Sequence, residues 1–336
     1  MRTYYCIAAA AALLMFVLLQ PAAFAAPNPG DTTNVKSPSG EEEKKAPQPK
    51  AAESSGKSID WLDVRVSLAY GYDSNVVLLN DDLDIVDDYD TSKIVTTVTL
   101  RADFGEASKW KFGGQYDFFN AFHDEVDYME IQSHSILFYG FYRSAPHYLY
   151  IPLSGNLYLL DNTTYLYTVR LMPTYYFEQR NNLLLSIMLG SELLNYKELD
   201  DRPYDAMDYH FRISETYMFS RDMWVKGALG YNYFDANGDH NSYSGPKFLI
   251  DFHSPLFWRI QLDLGFSFQY RDYRKVDPTD LKARVDRRYI LGAKLTREID
   301  WGFSAFVSYN YIENSSNVDR YRYSRNVLLV GVEWNY

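Results

Sequence analysis

The sequence predicts an all-β fold, a transmembrane antiparallel β-barrel of about fourteen strands preceded by a signal peptide and a disordered tether. Three observations lead there. From residue 59 onward apolar and polar residues alternate with period two, in runs of roughly 10 to 13 residues that would cross a bilayer at a tilt. Short connections between these runs alternate with mostly longer ones, and all six tryptophans fall at the same end of the proposed strands. Composition agrees, because 31 Tyr and 20 Phe accompany a mean hydropathy below zero. A barrel turns only every second residue to lipid, so it can be aromatic outside and polar on average. A net charge of −11 weighs against nucleic acid as a partner.

The elements follow in chain order. Residues 1–25 read as a signal peptide: Arg2 is a basic start, Ile7 to Leu19 is apolar but too short to span, and Ala23-Phe24-Ala25 fits a cleavage site. The one cysteine, Cys6, lies in this segment, so the mature chain has no disulfide, thiolate metal site or cysteine nucleophile. Residues 26–58 are rich in Pro, Gly, Ser and charge, and predict a disordered periplasmic linker that could reach a periplasmic protein or enter the bore.

Residues 59–336 form the barrel domain. In the first strand Leu62, Val64, Val66, Leu68, Tyr70 and Tyr72 share one face and Asp63, Arg65, Ser67, Ala69 and Gly71 the other. Residues 258–271 repeat the pattern, with Trp258, Ile260, Leu262, Leu264, Phe266, Phe268 and Tyr270 against Arg259, Gln261, Asp263, Gly265, Ser267, Gln269 and Arg271. Strands expected at 131–143, 208–219 and 243–252 alternate poorly, and Glu215 falls on the lipid side. Short links near 105–109, 178–182, 220–222 and 253–257, against longer ones near 73–91, 195–207 and 272–287, put both chain ends in the periplasm of a Gram-negative outer membrane. Trp61, Trp110, Trp224, Trp258, Trp301 and Trp334 would form the interfacial girdle on that side, against outer-membrane lipid. The last strand, with Gly331, Trp334 and a terminal Tyr336, resembles the signal read by the barrel-assembly machinery.

The lumen should present Asp63, Arg65, Arg101, Asp103, Lys111, Asp117, Arg170, Glu192, Arg212, Lys226, Arg259, Asp263, Lys294 and Glu333. Both signs occur, so no simple ion filter emerges, and pairing across strands is an equal alternative. Acidic residues crowd the outer loops, at Asp81, Asp82, Asp84, Asp87, Asp88 and Asp90, at Asp124, Glu125, Asp127 and Glu130, and at Asp200, Asp201 and Asp205. They read first as solvated charge and second as a site for calcium or lipopolysaccharide-bridging cations. Asp235, Asn237 and Asp239 match a calcium loop only in part, and no metal site or cofactor is expected. The sixth loop mixes Arg274, Lys275, Lys282, Arg284, Arg287 and Arg288 with Asp272, Asp277, Asp280 and Asp286. It could fold inward onto anionic sugar or phosphate groups, or be held by its own ion pairs. His123, His134, His147, His210, His240 and His253 accompany no G-x-S-x-G or H-E-x-x-H motif, so no enzyme is expected.

The first strand ends in Gly71-Tyr72-Asp73-Ser74-Asn75-Val76. With about fourteen strands and a terminal aromatic, this phrase resembles the barrel domain of surface lipoprotein assembly modifiers (Slam) and related outer-membrane export barrels. The resemblance implies a channel assisting an exported lipoprotein or polysaccharide client to the cell surface. Such proteins carry a helical periplasmic domain before the barrel, where this sequence has only the linker. A passive diffusion porin and a structural barrel are the alternatives.

Overall fold

In the computed structural model the described residues are 61–75, 91–104, 109–124, 130–197, 205–276 and 281–336. The expected signal peptide and linker, and loop residues 81–90, lie outside them. The first strands are β1 (Leu62–Asp73), β2 (Thr91–Phe104), β3 (Trp110–His123), β4 (Ile131–Ser144) and β5 (His147–Leu160). Next come β6 (Thr163–Leu171), β7 (Thr174–Arg180), β8 (Leu183–Tyr196), β9 (Ala206–Met218) and β10 (Trp224–Ala236). The last are β11 (Tyr243–Pro255), β12 (Ile260–Val276), β13 (Ala283–Glu298), β14 (Phe303–Ser316) and β15 (Tyr323–Asn335).

Apart from β6 and β7, each strand pairs antiparallel with its neighbour in the chain, and β1 pairs with β15 from Arg65↔Asn335 to Asp73↔Val327, so the sheet closes on itself without an edge. β6 and β7 are two halves of one crossing. Both pair with β5 on one side and β8 on the other, and the break falls at Met172-Pro173, where proline has no N–H for the ladder. Fifteen strands therefore make fourteen staves.

Outside, the even-numbered side chains of β1 to β4 and the odd-numbered ones of β8 to β10 form a broad apolar belt. Phe138, Leu189 and Leu229 are 64%, 61% and 66% exposed, far more apolar surface than a water-soluble protein leaves uncovered. With every ladder internal and the outer face apolar, this is a transmembrane barrel of the outer-membrane kind.

Two expectations change. The strands reach further at the loop end, most of all β12 and β13, so the loop expected over 272–287 shrinks to the residues between Val276 and Ala283. Between β5 and β6 the connection is only Asp161-Asn162, both at positive φ (48° and 60°), as in a type I′ hairpin turn. The weak alternation of β4 also has a cause. Its inward side chains include Leu137, Tyr139 and Phe141, which pack with Tyr150 inside the barrel, so both faces of the strand are apolar for different reasons.

Candidate functional site: the barrel lumen

Exposure of the interior is graded along the barrel. At the end that carries the short turns and Tyr336, inward charges keep contact with water: the Arg65 side chain is 49% exposed and that of Asp263 48%. Toward the loop end the inward charges lose contact with water, and Asp73, Lys93, Asp208, Arg271, Asp286, Arg288 and Arg325 are all buried. Phe234 stacks on Tyr243 at 5.0 Å and Tyr243 meets Tyr273 at 5.3 Å, giving an aromatic arc across β10, β11 and β12.

The wall between these levels is built of local pairs. On β2 to β4, Asp103 takes ion pairs from Arg101 (3.3 Å) and Lys111 (3.0 Å) and a hydrogen bond from the Tyr139 hydroxyl. Asp117 accepts from Thr99 (2.7 Å) and from Gln115. Arg170 donates to Glu192 at 2.8 Å between β6 and β8. On β9 and β10, Asn232 lies 2.7 Å from His210, whose other ring nitrogen is 3.3 Å from Asp208. Arg212 reaches Met188 Sδ at 3.4 Å. Lys226 faces Asp251 across β10 and β11, Lys294 lies 4.8 Å over the Phe306 ring, and Glu333 pairs with Arg65 at 3.7 Å. Asp63 stands opposite Arg101 in the ladder.

Arg259 is placed elsewhere. Trp258 and Arg259 both have positive φ (60° and 57°) and form the β11–β12 turn, so Arg259 leaves the wall and pairs with Asp300 at 3.1 Å in solvent. Trp224 also departs from the girdle position, because it turns inward and stacks on His253 at 5.8 Å, while His253 bonds Asp263 at 2.6 Å. Trp61 on Phe104, Trp110 on Phe112 and Trp334 beside Tyr336 lie on the outer rim, and Trp258 and Trp301 occupy exposed turns.

The phrase at the end of β1 becomes a clasp across the closing seam. Asp73, fully buried, receives Lys93 at 2.5 Å and both Arg325 Nε (2.7 Å) and Nη2 (2.5 Å). Ser74 Oγ accepts the Asn326 backbone N–H at 2.8 Å, and Asn75 donates to the Ser324 carbonyl at 3.2 Å. Gly71 and Gly331 lie where the facing strand leaves no room for a Cβ: one on Gly331 would stand 2.6 Å from the Leu68 oxygen, and one on Gly71 would collide with the Leu328 oxygen. Tyr72 points to the lipid side.

The charged loop residues divide similarly. Arg284 grips Asp286, which is fully buried, and the Tyr273 hydroxyl donates to the same carboxylate at 3.5 Å. Asp235 and Asp239, two of the three residues of the partial calcium spacing, are instead engaged by Arg274 (3.6 Å) and Lys275 of β12. The hydrogen bond from Lys275 holds the Asp239 carboxyl below the usual carboxylate range. Asp205 accepts the Tyr196 backbone N–H at 2.7 Å, a loop-anchoring role.

Sequence reasoning missed Lys93 and Arg325 as interior groups, and placed Asp286 and Arg288 in a loop where the structure has them on the inner face of β13. The available signal was period two within charge, since Arg284, Asp286 and Arg288 share one strand face.

The profile of a family described as "Protein of unknown function (DUF2860)" matches residues 189–335. No curated protein matches the sequence. Among solved structures, an anion-selective porin from Comamonas acidovorans aligns with a TM-score of 0.45 and 8% identity, over 82% of this chain and 98% of that one. Pseudomonas aeruginosa OprD aligns at 0.41 and 8% over 83% and 96%, and a Pseudomonas aeruginosa FadL homologue at 0.44 and 9% over 83% and 90%.

Proposed function

We propose that this barrel is a non-enzymatic outer-membrane channel for small solutes, with both chain ends in the periplasm and the longer loops outside. One observation carries the reading: among the described residues the inward face carries charged and polar groups from end to end, interrupted by aromatic patches, wet at the turn end and buried among side chains at the loop end. A lumen lined by paired charges and hydroxyls offers a small solute exchangeable hydrogen bonds, and a side-chain constriction sets a size limit.

An export channel for a lipoprotein or polysaccharide client is the second reading, favoured by the Gly71–Asn75 phrase. In the structure those residues hold the seam, so the phrase has a mechanical reason independent of any client. A polymer in transit would also have to push aside the Phe234–Tyr243–Tyr273 arc.

Liposome swelling with the purified full-length protein separates the two. The solute channel predicts swelling with sugars or amino acids of low mass and none with large dextrans. Absence of swelling with every small solute, together with loss of a surface lipoprotein or glycan on gene deletion, would transfer the case to export.

A further inference from the structure

The seam clasp and the β12–β13 hairpin bring five cationic side chains to one sector of the loop-end lumen, Lys93, Arg271, Arg284, Arg288 and Arg325, with two carboxylates, Asp73 and Asp286. Asp73 is taken by Lys93 and Arg325, and Asp286 by Arg284. Arg271 and Arg288 therefore have no carboxylate within ion-pair distance among the described residues. Arg271 donates to Gln269 at 3.1 Å and lies over the Tyr243 ring at 5.0 Å.

Arg288 is the more exposed electrostatically and the less exposed to water. It is 2% accessible, its Nε and Nη2 have no hydrogen-bond acceptor among the described residues, and the charged groups acting on it include Arg271 and Arg325. Nε of Arg271 and Nη1 of Arg325 are likewise without acceptors. In the ladder Arg288 stands between Gln269 and Asn314, and its strand neighbour Asp286 stands opposite Arg271. Buried guanidinium groups left without a counter-charge are strongly disfavoured, because neither solvent nor a carboxylate offsets the loss of hydration.

We propose that the Arg271–Arg288–Arg325 sector is a binding site for the oxyanion of a small solute, a carboxylate or phosphate group. A planar or tetrahedral oxyanion supplies the acceptors these forks lack and is held by charge-assisted, bidentate bonds. Tyr243 and Tyr273 pack beside it, Tyr243 under Arg271 and Tyr273 under Arg284, and hold the guanidinium planes in place. The proposal deepens the channel reading by naming a substrate class, and the site makes anions the preferred cargo.

The test uses full-length protein in detergent and inorganic phosphate as probe, at constant ionic strength. Thermal unfolding is followed against phosphate concentration for wild type, Arg288→Gln, Arg271→Gln and the solvent-exposed turn control Arg259→Gln. Phosphate should raise the melting temperature of wild type and of the Arg259 control, with an apparent affinity at least about tenfold weaker in Arg288→Gln, the scale of one lost charge-assisted bond. In phosphate-free, low-salt buffer Arg288→Gln should melt at or above wild type, because it removes an uncompensated charge. If Arg288→Gln does not fold, Arg271→Gln carries the same affinity comparison. An equal phosphate response in wild type and the folded arginine variants, or none in wild type, overturns the site. Reversal potentials in a potassium chloride gradient keep the two ideas apart. Phosphate binding without any conductance sinks the channel and leaves the site, whereas conductance without anion preference or phosphate response sinks the site and leaves the channel.

Discussion

Asp73 illustrates how one residue can hold a closure. It joins β1 to β15 through Arg325 and to β2 through Lys93, in a setting from which water is excluded. Replacing it by Asn leaves two buried cations with half an acceptor, and about 3 kcal/mol or more of stability should disappear. Urea unfolding in micelles reads this directly, and a loss below about 1 kcal/mol would mean that water reaches the clasp. Arg259→Gln should change stability by less than about 1 kcal/mol, since its pair with Asp300 is in solvent, and should leave conductance untouched. The different fates of these residues were unevenly legible in the sequence. Asp73 stood out as part of a phrase, though its role did not. Arg259 continued a perfect alternation from Leu264 backward, and only the positive φ of two bulky residues, which no composition signals, takes it off the wall.

At the level of elements, strand existence was readable because lipid on one side and polar groups on the other enforce period two. Strand ends were less readable. Beyond the bilayer the strands continue as ladders between polar residues, as in β12 and β13, and charge there looks like loop. The Asp161-Asn162 turn makes the same point from the other side, since a two-residue I′ hairpin extends both strands by its own twist. Asn162→Val should cost about 1–2 kcal/mol, the penalty of a β-branched side chain at positive φ, measurable as a lowered melting temperature; an unchanged value would show that the turn relaxes to another type. β4 was ambiguous for a packing reason. Its inward Leu137, Tyr139 and Phe141 fill space in the bore, so hydrophobicity no longer reports which face meets lipid.

For the whole molecule the consequence is a barrel with a polar wall and graded access. The turn end admits water to Arg65 and Asp263, and the loop end is lined by buried aromatic rings and buried guanidinium groups. The barrel class was legible from alternation, connections and girdle. The gradient of exposure was not, because how deeply an inward side chain is buried depends on stagger between staves far apart in sequence. The most direct measurement is single-channel conductance in planar bilayers of wild type against the double variant Phe234→Ala with Tyr243→Ala, each shown folded by its heat-modifiable mobility. The account predicts a small steady current in wild type and a severalfold larger one once the arc is removed. A wild-type current already as large as that of the variant would contradict a side-chain constriction at the loop end.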